Sequence, residues 1–217
     1  MIHPNTEIRF INNAVGYGVV ATEFIPKGTI TWVLDKLDRF FTPGQIKEMD
    51  QLYQEMLDKY TYRNAEGNYI LCWDNARFIN HSSDSNCITT SYEFEVAVRD
   101  IHPGEELTDD YGYLNIEKPF HAIPERGSRR KVVYPDDTLR FYYTWDGKLL
   151  TALKNFQRVE QPLGHLLGDS LLEKVKRIAS GQEQMASVLY CYYGISNLNG
   201  KSHRILKNRH PEVIYPI

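Results

Sequence analysis

The sequence predicts an α+β fold, with short β-strands through the first half and a mainly helical C-terminal region. Three observations point there. Residues 7–34 and 60–99 carry alternating or β-branched runs broken by Gly, Pro and Asn turns. Apolar residues recur at helical spacing after Thr42 and again after Pro135. Apolar residues make up 42% of the 217, enough for a packed core, and no run approaches the ~18 needed for a membrane span.

The elements follow in order. Glu7–Ile11 alternates, and 18–22 and 29–34 are β-branched runs joined by an Ile25-Pro26-Lys27-Gly28 turn. Thr42 is an N-cap with Pro43 at the first helical position and Gln45 completing a capping box. Ile46, Met49, Leu52, Met56 and Tyr60 then mark one helix with a buried face. Strands are expected at 60–63 and 68–73 around an Asn64–Gly67 turn, at 87–92 and 94–99, and briefly at 107–110 after His102-Pro103-Gly104. Residues 115–137 read as an irregular connector holding the basic cluster Arg126, Arg129, Arg130 and Lys131. Beyond Pro135-Asp136-Asp137, a helix carries Leu139, Tyr142, Leu149, Leu153 and Phe156, with a hairpin at Asp146-Gly147 as the rival reading. Asp169–Ser180 is a helix stopped by Gly181, and 182–193 is expected to be another.

Charge is unevenly divided. Residues 1–115 hold 9 Lys/Arg against 18 Asp/Glu, a balance of −9, and the remainder stands at +6. An acidic first half attracts a cationic partner, unless it is ordinary surface variation. Three scattered cysteines, Cys72, Cys87 and Cys191, argue for a reducing compartment and against a disulfide framework or a CxxC metal site. With no secretory signal at the start, the expected location is intracellular, cytoplasmic or nuclear. A pI near 6.2 disfavours nucleic acid as partner.

Three separated motifs carry the chemistry: Gly16-Tyr17-Gly18, Arg77-Phe78-Ile79-Asn80-His81-Ser82 and Gly104-Glu105-Glu106-Leu107-Thr108-Asp109-Asp110-Tyr111-Gly112. Together they resemble the SET domain of lysine methyltransferases that use S-adenosylmethionine. The resemblance implies several small sheets with a pseudoknot over residues 5–115. A connector follows at 116–137, then a mainly helical extension at 138–217. It implies Tyr111 as the catalytic tyrosine, and Gly16, Tyr17, Gly18, Asn80 and His81 as cofactor-binding residues. Asp109 and Tyr113 would belong to the substrate channel. The pseudoknot brings the motifs at 80 and 111 together in space.

Two departures from the family pattern matter. Ser83 stands where many members have a cysteine, and the connector has no cysteine, so no metal is assigned and the zinc module is expected to be lost. Asp109 stands where an aromatic or apolar residue is usual, and a carboxylate there would hold an ammonium and raise its pKa, unless it turns outward or is neutralised locally. The expected activity is methyl transfer to a lysine amine of a protein. A small-molecule amine such as a free amino acid is the alternative acceptor. An inactive SET-like module that binds a basic peptide is the non-enzymatic alternative.

Overall fold

A computed structural model describes residues 1–125, 128 and 130–195; Arg126 and Arg129 of the basic cluster lie outside them. In chain order the first elements are β1 (Thr6–Asn12), β2 (Gly16–Ala21), β3 (Ile30–Val33), β4 (Arg39–Phe41), α1 (Pro43–Lys47) and α2 (Gln51–Tyr60). Then come β5 (Thr61–Arg63), β6 (Tyr69–Leu71), β7 (Asn80–His81), β8 (Cys87–Thr89), β9 (Phe94–Ala97) and β10 (Thr108–Asp109). The rest are β11 (Phe120–His121), β12 (Val132–Val133), α3 (Asp137–Leu153) and α4 (Gly168–Ala179). This is the expected α+β arrangement of small sheets with a helical C-terminal region.

Five sheets form among the described residues, each of two or three strands. β1 and β2 make an antiparallel hairpin, β4-β6-β5 and β3-β9-β8 are antiparallel triplets, and β11 pairs with β12. β7 and β10 are parallel and twenty-six residues apart in sequence, with Thr108 opposite Asn80 and Asp109 opposite His81. A parallel pair needs a crossover, and here the crossover contains β8 and β9.

The capping box forms as read: Thr42 Oγ1 accepts from the Gln45 amide at 3.2 Å, and Gln45 Oε1 accepts from the Thr42 amide at 2.8 Å. The helix it starts is only five residues long, because the Asp50 carboxylate caps a second one by accepting from the Leu52 amide at 2.9 Å. The expected buried face is also corrected. Leu57 is buried, but Leu52 is 71% and Met56 43% exposed. Periodicity identifies residues that share a face; it does not supply an element to cover them.

α3 runs unbroken through Asp146-Gly147, which removes the hairpin reading. Its Trp145, Leu149, Ala152 and Leu153 join Ile88, Phe94 and Val96 of the central sheet and Val175 and Ile178 of α4 in one core. Residues 182–193 are not a helix but irregular chain ending in a short 3-10 turn at Val188–Cys191. Tertiary acceptors claim the backbone donors a helix would need. The Ala186 amide donates to the Tyr92 hydroxyl at 2.7 Å and the Val188 amide to Asp146 Oδ1 at 2.8 Å. Gln161 docks the extension on the sheet edge, accepting from the Ile30 amide at 2.9 Å and donating to the Gly28 carbonyl at 2.8 Å. Among the described residues no helix is long and apolar enough to cross a membrane.

Because Leu149 is fully buried between helix and sheet, Leu149→Ala is expected to cost about 2–5 kcal/mol in urea denaturation. Helical and aromatic signals are expected to lose stability together in one transition, since one core serves both.

Candidate active site

The site begins with the two-residue ladder of β7 and β10. So short a pair holds only because side chains reinforce it. Buried Asn86 braces the β10 side: its Oδ1 accepts from the Thr108 amide at 2.8 Å and its Nδ2 donates to the Glu106 carbonyl at 2.8 Å. The Ser82 amide donates to the Asp109 carbonyl at 2.9 Å. Strand order ends at Asp109, and a 3-10 turn at Tyr111–Tyr113 begins behind an Asp110 cap. Asp109 and Tyr111 therefore do not share a strand face as period two would have it. They nonetheless line one cavity.

Tyr111 is fixed at both ends. Its amide donates to His81 Nδ1 at 3.1 Å, and its hydroxyl donates to the Ile79 carbonyl at 2.6 Å. Burial pushes the phenol well up, so it stays protonated at neutral pH. The His81 bond fixes that ring's tautomer: Nδ1 accepts, so Nε2 carries the hydrogen. Nε2 is buried and has no acceptor among the described residues. Burial, with the Arg130 charge second, lowers His81 to a pKa of about 4.

Asn80 Nδ2 donates to the Tyr17 carbonyl at 3.0 Å and to Glu106 Oε1 at 2.7 Å. The glycine loop and the Asn80-His81 strand therefore meet. Gly16 has φ of +78° and open space where a Cβ would sit, whereas a Cβ on Gly18 would lie 2.9 Å from Asn80 Nδ2 and collide with Glu106. Tyr17 between them is 57% exposed.

A cavity of about 400 Å³ opens beside Tyr111, walled by Trp32, Tyr60, Tyr62, Tyr69 and Phe120. Phe120, from the connector, packs its ring at 5.3 Å from His81 and 6.1 Å from Tyr111, so it covers this end of the site. Asp109 faces inward, buried, and accepts from the Tyr113 hydroxyl at 3.1 Å. Tyr113 is placed elsewhere than the sequence reading had it. It is fully buried behind Asp109, its ring edge-on to Trp145 at 5.1 Å, and it does not line the Tyr111 cavity. Sequence reasoning missed Glu95 and Trp32. They are register partners on β9 and β3, and both line the cavity. A glutamate inside the apolar run 94–98 was the available signal. Among the described residues no group of three His, Cys, Asp or Glu side chains is arranged to hold a metal.

A family model for the SET domain matches residues 16–112. Residues 16–112 are similar to the SET domain. The matched span of the SET domain runs from the start of β2 to Gly112, and so includes the glycine loop, the β7–β10 ladder and Tyr111. None of the curated proteins matches the chain. Among solved structures, a candidate histone methyltransferase of Plasmodium falciparum shares 18% identity, with a TM-score of 0.37, over 51% of this chain and 95% of that one.

The lowered His81 pKa has a definite sign. An unfolded histidine titrates near 6.5, so neutral His81 contributes stability that is present above that pH and lost as pH falls from 6.5 toward 4. In an NMR titration, the His81 ring signals are expected to stay flat from pH 8 to about 5.5 and to move only toward pH 4.

Proposed function

We propose that the chain is an S-adenosylmethionine-dependent N-methyltransferase acting on a lysine side-chain amine of a protein. The observation that carries this reading is a convergence on Tyr111: it lines one cavity with an aromatic wall, its hydroxyl is held by the Ile79 carbonyl and its amide by His81 of the Asn80-His81 strand, all within the span that matches the SET domain. The acceptor must present a neutral amine, and removing a proton from a lysine of pKa ~10.4 at pH 7 costs about 4–5 kcal/mol. A cavity walled by aromatic rings lowers that cost by desolvating the ammonium. Tyr111 keeps its own proton, so its part is to orient and exclude water rather than to act as a base.

The residues at the glycine loop fit the cofactor. Gly16 leaves backbone open to close approach, and the buried His81 Nε2–H is a donor with no acceptor among the described residues. Gly16, Tyr17, Gly18, Asn80 and His81 would hold it, and its contribution when bound is an activated methyl group. The remaining work belongs to the protein: the β7–β10 ladder aims Tyr111, and Phe120 shields it.

A small amine is the second reading, favoured by the carboxylate of Asp109 in the cavity. Incubating lysate with radiolabelled cofactor distinguishes the two, since label in protein supports the first and label confined to small molecules the second. Tyr111→Phe is expected to lower methyl transfer about tenfold or more while leaving calorimetric cofactor binding within about threefold. Unchanged turnover would remove the hydroxyl from the reaction.

A further inference from the structure

The cavity floor holds a feature that orienting an amine does not require. Glu95 and Asp109 are 6% and 4% exposed, and both line the cavity beside Tyr111. Burial raises both carboxyls, and the Asp109 charge raises Glu95 further. Two interacting buried acids do not both ionise readily, so one keeps its proton. Glu95 is the holder: burial and then the Asp109 charge push its carboxyl well up. Asp109 is pushed up to about 6 by burial, with the Tyr113 donor opposing. At neutral pH the pair therefore holds one proton and one negative charge.

That charge has no counter-ion among the described residues: no salt bridge reaches either carboxyl. Four cations also line the cavity, and none forms a salt bridge with either acid: Arg63 Nη1 lies 3.6 Å from Glu117, Arg77 Nη1 donates to the Trp73 carbonyl at 2.8 Å, Lys59 Nζ lies 5.0 Å over the Tyr60 ring, and Lys118 is the fourth. Two further buried groups in cavity-lining residues, Glu95 Oε2 and Trp32 Nε1, have no hydrogen-bond partner among the described residues. A buried, uncompensated charge is costly, and a cavity that keeps one is built for a cation.

We propose that the Glu95–Asp109 pair binds a compact alkylammonium group, the head of the methyl acceptor. Asp109 supplies the counter-charge, and Glu95 keeps its proton. This rests on the amine-transfer reading above and names the charge state in which the acceptor is captured. The walls agree, because Trp32, Tyr60 and Tyr62 present aromatic rings that attract cations and repel anions. An alcohol of the same length fills the same space and leaves the carboxylate unpaired, so the site discriminates by charge.

The test is an NMR titration at pH 7.5 with n-butylammonium chloride and with n-butanol, following the backbone amides of residues 95, 109 and 111. The wild-type protein is expected to bind the ammonium at least tenfold more tightly than the alcohol; equal binding overturns the proposal without any variant. Asp109→Asn, isosteric and still able to meet Tyr113, is expected to lose that preference. Glu95→Gln leaves that side chain uncharged and is expected to keep it. Full preference in Asp109→Asn, or its loss in Glu95→Gln alone, would overturn the assignment. No turnover is involved. A protein that binds the ammonium but transfers no methyl would retire the transferase reading and leave the subsite standing.

Discussion

Everything functional in this molecule hangs on the two-residue parallel pairing of β7 with β10. A ladder that short has almost no stability of its own. It persists because buried Asn86 braces the β10 side, because Asn80 reaches from β7 to Glu106, and because the chain beyond it is clamped. Arg130 bridges Asp110 Oδ2 and Asp137 Oδ2 at 2.5 Å each, tying the turn after β10 to the first residue of α3. Gly112 leaves room for that bridge, since a Cβ there would lie 2.5 Å from Arg130 Nη2. The Thr138 hydroxyl completes the join by donating to the Gly112 carbonyl at 2.9 Å. The helical extension thus reaches the site through one buried ion network. Removing Arg130 would strand two buried carboxylates.

The electrostatics of the site divide by depth. At the loop end, burial keeps His81 neutral, and its Nε2 has no hydrogen-bond partner among the described residues. At the floor, burial keeps Glu95 protonated beside an ionised Asp109. Tyr111 lies between these ends, its phenol kept protonated by the same loss of water. A single cause, exclusion of solvent, sets all three charge states. It also explains why Tyr113 is spent on Asp109 rather than on a substrate: a buried carboxylate needs its donors close by.

Most of the strand pattern and the helix starts could be read from the sequence, because period-two runs, the Thr42-Pro43-Gln45 box and Gly181 act locally. The meeting of Asn80 with Tyr111 was legible only through the motif resemblance; nothing local in either segment states that they pair. The failures share a physical reason. Residues 182–193 have helical spacing, but Tyr92 and Asp146, distant in sequence, take their amides. Asp50 splits a helix whose apolar spacing runs straight past it. Leu52 and Met56 sit on an apolar stripe that no element among the described residues covers. Glu95 went unnoticed because its meaning depends on Asp109, fourteen residues away on another sheet.

Native-state amide hydrogen exchange at Ser82, Thr108 and Tyr111 measures the ladder most directly. If the pairing is part of the cooperative core, these amides exchange only through global unfolding, with the same opening free energy as the Ala97 amide in the central sheet. Exchange of Ser82 or Tyr111 near the rate of a free peptide, with Ala97 still protected, would mean that the two motifs are not held together, and the site as described would not exist.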